Sequence, residues 1–135
     1  MNTTSTQAKL FLALGALNVA LVVALDAAGA HVLKAQLMVN DPTHLFQLAL
    51  QYHKLHAVGL ILIGLAVTSF PAIRCFVWSG WLLCAGIVLF SGDLYLRSIS
   101  GLNNVYMTIP IGGALFIFGW LLFAVGALRI LPTSK

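Results

Sequence analysis

Four apolar stretches dominate the sequence, and short polar connections separate them. Each stretch has about 20 or more residues, which is enough for an α-helix to cross the hydrocarbon core of a bilayer. They run from about Ala8 to Leu33, Leu45 to Phe70, Phe76 to Leu96 and Thr108 to Ile130. The sequence therefore predicts four transmembrane helices.

The connections between these stretches determine how the helices are arranged. They read VNDPTH, SFPAIR and RSISGLNN, and each contains Pro, Gly, Ser or Asn residues typical of turns. Helices joined by such short segments pack as antiparallel neighbours. We therefore expect an all-α integral membrane protein, an antiparallel four-helix bundle in which residues 1–135 form a single transmembrane domain.

Composition agrees with this class and excludes others. Hydrophobic residues make up 61% of the chain and charged residues only 7%, whereas a soluble domain carries about 25% charged residues. The basic residues are scattered singly, so they form no run that could follow a nucleic-acid backbone. Cys75 and Cys84 would lie about 13 Å apart on one helix and cannot form a disulfide. We expect the lipid bilayer as a partner, and no nucleic acid.

The distribution of basic residues predicts an orientation. Four lie on the side that both termini share and two at the opposite edge: Lys9, Arg74, Arg129 and Lys135 against Lys34 and Arg97. By the positive-inside rule, both termini should face the cytoplasm.

The segment AGAH at 28–31 leaves an alternative for the first span, because small residues two apart after an apolar stretch are typical of a signal-peptidase site. Asp26 is unusual so close to a cleavage site, and cleavage would leave three helices with their termini on opposite sides. We expect the first span to be retained.

Small residues recur at helical spacing on two spans, and in lipid such residues mark surfaces where helices approach closely. On the fourth span these are Gly112, Gly119 and Gly126, and on the first they are Ala20, Ala24 and Ala27, which share a face with His31. We expect both faces to pack, while the aromatic anchors would be Trp78, Trp81 and Trp120.

Polar residues within the spans concentrate in one half of the membrane, the outer half in this orientation. They are Asp26 and His31 on the first span, His53 and His56 on the second, Asp93 and Arg97 on the third, and Tyr106 and Thr108 at the same depth before the fourth. Ionisable residues in a span generally face the bundle interior and pair. This cluster is the candidate site.

One hypothesis for the cluster is a metal site. His53 and His56 are three residues apart on one helix face, which also carries Tyr52. Neutral imidazoles bind Zn, Cu, Fe and Ni, and His31, Asp26 or Asp93 would have to complete the ligand set. The identity of the metal is left open.

A second hypothesis is structural. His31 and His56 would join the first two spans by a hydrogen bond, Asp93 and Arg97 would form an ion pair, and Lys54 would reach the headgroups. Alternatively, VNDPTHLFQLAL at 39–50 is an amphipathic surface segment, in which case the 41–52 region lies at the interface.

A third hypothesis is a path for protons or a small solute, because chains of Asp and His within spans mark such routes. The half of the bundle next to the termini offers little to continue the path, since its polar residues are Asn18, Thr68 and Ser69.

Four motifs in order resemble those of a known family. They are AAGAHVLK, QYHKLHAVGLILIG, GIVLFSGDLYLRSISG and PIGGALFIFGW, and they cover nearly the whole chain. The chain resembles the YgdD-like family, also known as domain of unknown function 423 or UPF0382, which includes an animal relative called transmembrane protein 256. The resemblance implies a four-helix protein of the bacterial inner membrane with no established biochemical activity.

The resemblance extends to individual residues and also shows departures. His53 matches only some members, and Asp26, Asp93 and Arg97 stand where a glycine, a serine and an apolar residue are usual. The matching residues are Gly29, Ala30, His31, His56, Phe90, Ser91, Tyr95, Gly101, Pro110, Gly112, Gly113, Gly119 and Trp120.

The sequence shows no nucleophile with a base, no carboxylate pair on one helix face and no phosphate-binding loop. We therefore expect a non-enzymatic accessory, assembly or stabilising component without a cofactor, which packs against other membrane proteins or itself. One alternative is transport of protons or a small solute. The other is metal binding through His31, His53, His56 and Asp93.

Overall fold

A computed structural model describes residues 3–101 and 107–130, and within them every regular element is a helix. In this described part of the chain, four helices are long and apolar enough to cross a membrane. The first span is α1 (Thr3–Ala30), and the second is α3 (Leu45–Ser69). The third covers Arg74–Ser100, and the fourth is α6 (Thr108–Leu128). The predicted all-α membrane fold with four spans is confirmed. Lys135 and Tyr106 lie outside the described residues.

The third span is not one regular α-helix, which the sequence did not predict. It consists of α4 (Arg74–Gly86), a π-helical segment (Ile87–Gly92) and α5 (Asp93–Ser100). A π-helical turn shifts the side chains that follow it around the helix axis and is often found at functional sites. Gly101, in the left-handed conformation with φ 69°, ends α5.

The first connection contains a short helix, α2 (Lys34–Asn40), where the sequence predicted only a turn. None of its side chains is buried. Gln36 Nε2 and Asn40 Nδ2 both donate hydrogen bonds to the Ile99 carbonyl, at 2.8 and 2.7 Å. These bonds satisfy a carbonyl near the end of α5 and hold α2 against that helix.

Asp41 fixes where the second span begins. Its carboxylate accepts hydrogen bonds from the amides of Leu45, at 2.7 Å, and Phe46, at 2.8 Å. A carboxylate at this position satisfies amides that have no partner within the first turn of the helix. α3 runs unbroken from Leu45 to Ser69, so residues 45–50 are continuous with the second span and do not form a separate helix.

The spans alternate in direction, so the bundle has two ends. We call the end that carries the start of α1 and the end of α6 the terminal end, and the end that carries α2 the opposite end. α1 packs along α3, α4 packs along α6, and α3 also contacts all three parts of the third span. α3 is therefore central to the bundle.

Two separate hydrophobic cores hold the spans together. The larger, the terminal core, lies towards the terminal end and contains Ala8, Phe11, Leu60, Ile63, Val67, Phe76, Val77, Leu83, Ile87 and Phe116. The smaller, the opposite core, has three buried residues, Val22, Phe46 and Leu50. The larger core contains residues from all four spans.

Within the protomer, the small-residue face predicted on α1 does not pack against another span. Ala20, Ala24, Ala27 and His31 are all exposed. The face that packs on α3 instead includes Gly15, where an added Cβ would lie 2.9 Å from the Ala57 carbonyl oxygen. The predicted face does have the seven-residue spacing of a packed helix. A different face of α1, offset around the helix, makes the internal contact with α3.

Candidate functional site

A hydrogen-bonded chain of side chains joins three of the four spans. His53 on α3 is 3% exposed, with Nε2 2.8 Å from Asn18 Oδ1 on α1 and Nδ1 3.3 Å from the Tyr95 hydroxyl on α5. Asn18 Nδ2 in turn donates to the Leu14 carbonyl at 2.8 Å. The buried histidine therefore links α1, α3 and α5.

The chemistry of the partners assigns a direction to each bond. Because Asn18 donates through its Nδ2, its Oδ1 is the acceptor, and His53 must donate from Nε2. The neutral imidazole then has a lone pair on Nδ1, which accepts from the Tyr95 hydroxyl. Both ring nitrogens of His53 are used, so this ring has no lone pair left for a metal ion.

His56 adopts the opposite tautomer. Its Nδ1 lies 2.6 Å from the carbonyl of Tyr52, one turn earlier on the same helix, and a carbonyl only accepts. Nδ1 therefore carries the proton, and Nε2 carries the lone pair. The ring is 2% exposed and stacks on Phe116 of α6, with centroids 3.4 Å apart and planes 10° apart.

The two histidines thus serve different neighbours although they lie three residues apart. His53 contacts α1 and α5, whereas His56 contacts α6, and Tyr52 stacks beside His56. The predicted hydrogen bond between His31 and His56 is absent from the described residues, since His31 is exposed at the end of α1 and His56 bonds within its own helix. His53 and Asn18 make that link between the first two spans.

Asp93 and Arg97 form an ion pair near the start of α5. Arg97 Nε lies 2.9 Å from Asp93 Oδ2, and the two side chains are 13% and 17% exposed. The same carboxylate oxygen accepts from the Thr108 hydroxyl at 3.0 Å. Asp93 thereby ties the third span to the start of the fourth.

Asp26 is an exposed residue of α1. It makes no hydrogen bond or ion pair with any described residue. Four residues of helix follow it, so it lies within the first span and not in the connection. It is therefore an exposed charged group within a span.

The residues of the predicted metal site do not come together. Within residues 3–101 and 107–130, no three His, Cys, Asp or Glu side chains are grouped closely enough to hold one metal ion. His31 is exposed, and Asp93 is paired with Arg97. Both described cysteines, Cys75 and Cys84, are free thiols.

Sequence reasoning missed the partners that complete the network. Asn18 was assigned to the terminal half, but its bond to His53 places it at the middle of the bundle. Tyr95 and Thr108 were not paired with anything. These three residues are uncharged, so they do not stand out in the sequence as ionisable residues do. Only the register of α1 against α3 shows that Asn18 meets His53.

The glycines of α6 lie where the fourth span meets the third. An added Cβ at Gly112, Gly119 or Gly126 would lie 2.6 to 2.8 Å from atoms of Phe90, Leu83 or Phe76. Gly112 is the tightest, because the nearest atom is the backbone nitrogen of Phe90 in the π-helical segment. Next to Phe90, the Ser91 hydroxyl is fully buried and has no hydrogen-bond partner in the described part of the chain.

Comparison with known proteins places this geometry in a family. The family model described as "Protein of unknown function (DUF423)" matches residues 25–113. The chain is 37% identical over 123 residues to the UPF0382 membrane protein YwdK of Bacillus subtilis, covering 91% of this chain and 99% of YwdK. It is 39% identical over 109 residues to the UPF0382 inner membrane protein YgdD of Escherichia coli K12, covering 80% of this chain and 81% of YgdD.

A UPF0382 membrane protein of Staphylococcus saprophyticus is 38% identical over 122 residues, 90% of this chain and 99% of that protein. No solved structure matches the chain. The resemblance inferred from the four motifs is confirmed. This multi-pass membrane protein belongs to the DUF423 family, whose curated relatives are named UPF0382 membrane proteins.

Proposed function

We propose that the protein is a non-enzymatic accessory component of the bacterial inner membrane that packs against another membrane protein, or a second copy of itself, through the outward face of α1. The observation that carries the proposal is a row of exposed small residues at helical spacing on that face, with an exposed carboxylate farther round the same helix. The small residues are Ala20, Ala24 and Ala27, and the carboxylate is Asp26.

Both features favour a covered surface in the membrane. Small residues allow another helix to approach closely, which is how helices associate where lipid tails offer no hydrophobic driving force. A carboxylate within a span is costly unless it faces protein or water. α1 is also the least buried of the four spans. A partner helix on the small-residue face would supply this close contact.

Site-specific photo-crosslinking in native membranes tests the proposal. A photoreactive residue at Ala20, Ala24 or Ala27 should give a discrete cross-linked product. The same residue at Ile117 or Leu121, on the exposed side of α6, is the matched control and should give none. A product of twice the 14.5 kDa protomer would identify a second copy, and any other discrete mass a different protein.

Two results would contradict the proposal. One is equal labelling of α1 and α6 positions without a discrete product, as expected for helices that both face lipid. The other is a product at Ala24 that persists unchanged after Ala20→Trp, since a genuine helix contact should not tolerate the bulky ring.

We also propose that both termini are cytoplasmic. At the terminal end the described basic residues are Lys9, Arg74 and Arg129, and at the opposite end they include Lys34 and Arg97. This bias supports the orientation, and the name of YgdD as an inner membrane protein supports the location. A reporter that is active only in the periplasm should stay inactive when fused after Lys135, and activity would reverse the assignment.

The two alternatives have less support. The polar chain that could begin a transport path ends at Asn18, beyond which the described interior is the terminal core. Metal binding through His31, His53, His56 and Asp93 would require these side chains to leave their present positions. The accessory role needs no such rearrangement.

A further inference from the structure

A cleft lies on the side of the bundle away from α1, and membership of the family does not explain it. Its volume is about 310 Å³, and it lies between α3, the π-helical segment and α6. Four aromatic rings line it together with His56. These rings are Tyr52, Phe90, Phe116 and Trp120.

The cleft lies near the middle of α3 and opens sideways. His56 is next to residue 57, the midpoint of Leu45–Ser69. The residues at its edge, Leu55 and Ile117, are 57% and 63% exposed, so the opening faces the bilayer rather than water. A ligand would therefore have to enter from the lipid.

His56 gives this apolar cleft one directed polar group. Because Nδ1 donates to the Tyr52 carbonyl, the neutral ring has its lone pair on Nε2. Nε2 makes no hydrogen bond with any residue that the structure describes. A hydrogen-bond donor supplied by a ligand would satisfy this acceptor, and a hydrocarbon chain would not.

The aromatic lining indicates the shape of the ligand. Tyr52 lies 4.7 Å from Phe90 and 6.2 Å from Phe116, measured between ring centroids, so these rings pack against one another and form one continuous aromatic wall. Gly113 keeps the floor open, because an added Cβ would meet only the Phe90 ring, at 3.9 Å. The π-helical segment carries Phe90 into this position.

We propose that the cleft binds a lipid-soluble molecule whose head is a hydroxyl-bearing aromatic ring, the chemistry of a quinol. The ring would lie in the cleft against the wall that the four aromatic side chains form, and its hydroxyl would donate to His56 Nε2. The proposal concerns binding only and involves no α1 residue, so it is independent of the accessory role.

Calorimetric titration of the full chain in nanodiscs tests the proposal, with empty nanodiscs as the blank for partitioning into lipid. The probes are reduced coenzyme Q1, kept anaerobic, and its dimethyl ether, which has the same ring without a hydroxyl donor. One hydrogen bond should make the quinol bind about five- to tenfold more tightly than the ether. In His56→Leu the two affinities should become equal.

Gly113→Leu blocks the cleft without removing His56. It should abolish saturable binding of both probes, because its side chain fills the open space. Ala124→Leu, on an exposed position of the same helix, is the control and should bind like the wild type. If His56→Leu does not fold, the quinol and ether pair in the wild type with Gly113→Leu still decides the question. Equal binding of both probes by the wild type, no saturable binding, or unchanged binding by Gly113→Leu would overturn the proposal.

Discussion

The two ends of the bundle are held together by different means. At the terminal end, aromatic side chains fill spaces that glycines leave open, as where Phe11 reaches Gly80 and Phe76 reaches Gly126. From the middle to the opposite end, polar side chains join the helices, with His53 and Asp93 at the centres of the links. The division is not absolute, since the buried Ser79 hydroxyl donates to the Gly119 carbonyl at 2.8 Å.

The difference shows what a helix bundle in lipid requires. Lipid tails are as apolar as the side chains, so the terminal core must stabilise the fold by close packing. Hydrogen bonds between side chains are directional, so they determine which helices meet and in which register, at a small net gain in stability. Removing packing should therefore cost more free energy of unfolding than removing a polar link.

The largest effect should come from Phe11→Ala. This ring is fully buried and packs edge-on against Trp81, so its loss leaves a cavity. The free energy of unfolding should fall by about 2 to 4 kcal/mol. This is the cost of the cavity, because in lipid the side chain is not fully transferred from water when the protein folds. Unfolding in detergent measures it. The control is Phe118→Ala, whose ring is 61% exposed and whose loss should be nearly neutral. Equal effects would show that the terminal core is not tightly packed.

The next effect tests a charged link. Arg97→Leu should lower the free energy of unfolding by about 2 kcal/mol, because it leaves the Asp93 carboxylate with less compensation in a partly buried site. The double variant Asp93→Asn with Arg97→Leu should be more stable than Arg97→Leu alone, since the amide is neutral and still accepts from Thr108. A double variant as unstable as the single one would mean that the pair lies in water.

A smaller effect compares two aspartates. Asp41→Ala removes both bonds to the first amides of α3 and should cost about 1 kcal/mol. Asp26→Ala should not destabilise the isolated protomer, because the Asp26 side chain is exposed and makes no bond to a described residue. Thermal unfolding of both variants in the same detergent checks this. An equal loss would mean that Asp41 does not act as a cap.

The sequence predicted the fold well because apolar length and turn residues determine it locally. The spans α3 and α6 begin at Leu45 and Thr108, the positions that the hydropathy pattern indicated. The π-helical segment was missed, because no residue pattern in GIVLFSGD distinguishes it from an α-helix. The short helix α2 was also missed, since its stability depends on Ile99, which is 59 residues from Asn40.

The candidate site was less predictable, for a physical reason. Spacing on one helix identifies a local pair such as Asp93 and Arg97, four residues apart. It does not show which face of a neighbouring helix will be opposite. α1 has one small-residue heptad through Gly15 and another through Ala20, and both fit a packed helix. Only the α1–α3 contact decides between them, and with it the partner of His53.

The smallest expected effect tests the histidine link itself. A double-mutant cycle with Asn18→Ala and His53→Ala isolates the coupling between the two side chains, because the cavities left by each change cancel when the sites are otherwise independent. Hydrogen bonds between membrane helices average about 0.6 kcal/mol and reach about 1.7 kcal/mol, so we expect a coupling in the lower part of that range.

Tyr95→Phe should show a weaker coupling to His53 than Asn18 does, because the Tyr95 contact is longer, 3.3 Å against 2.8 Å. The three variants can be measured by unfolding in one detergent, with His56→Gln, which changes a ring that bonds only within α3, as the control for altering a histidine. A coupling above about 2 kcal/mol between positions 18 and 53 would exceed any bond of this kind and make the polar link a principal stabiliser. The contrast between the two ends of the bundle would then fail, because the middle and opposite half would be held as strongly by its hydrogen bonds as the terminal core is by packing.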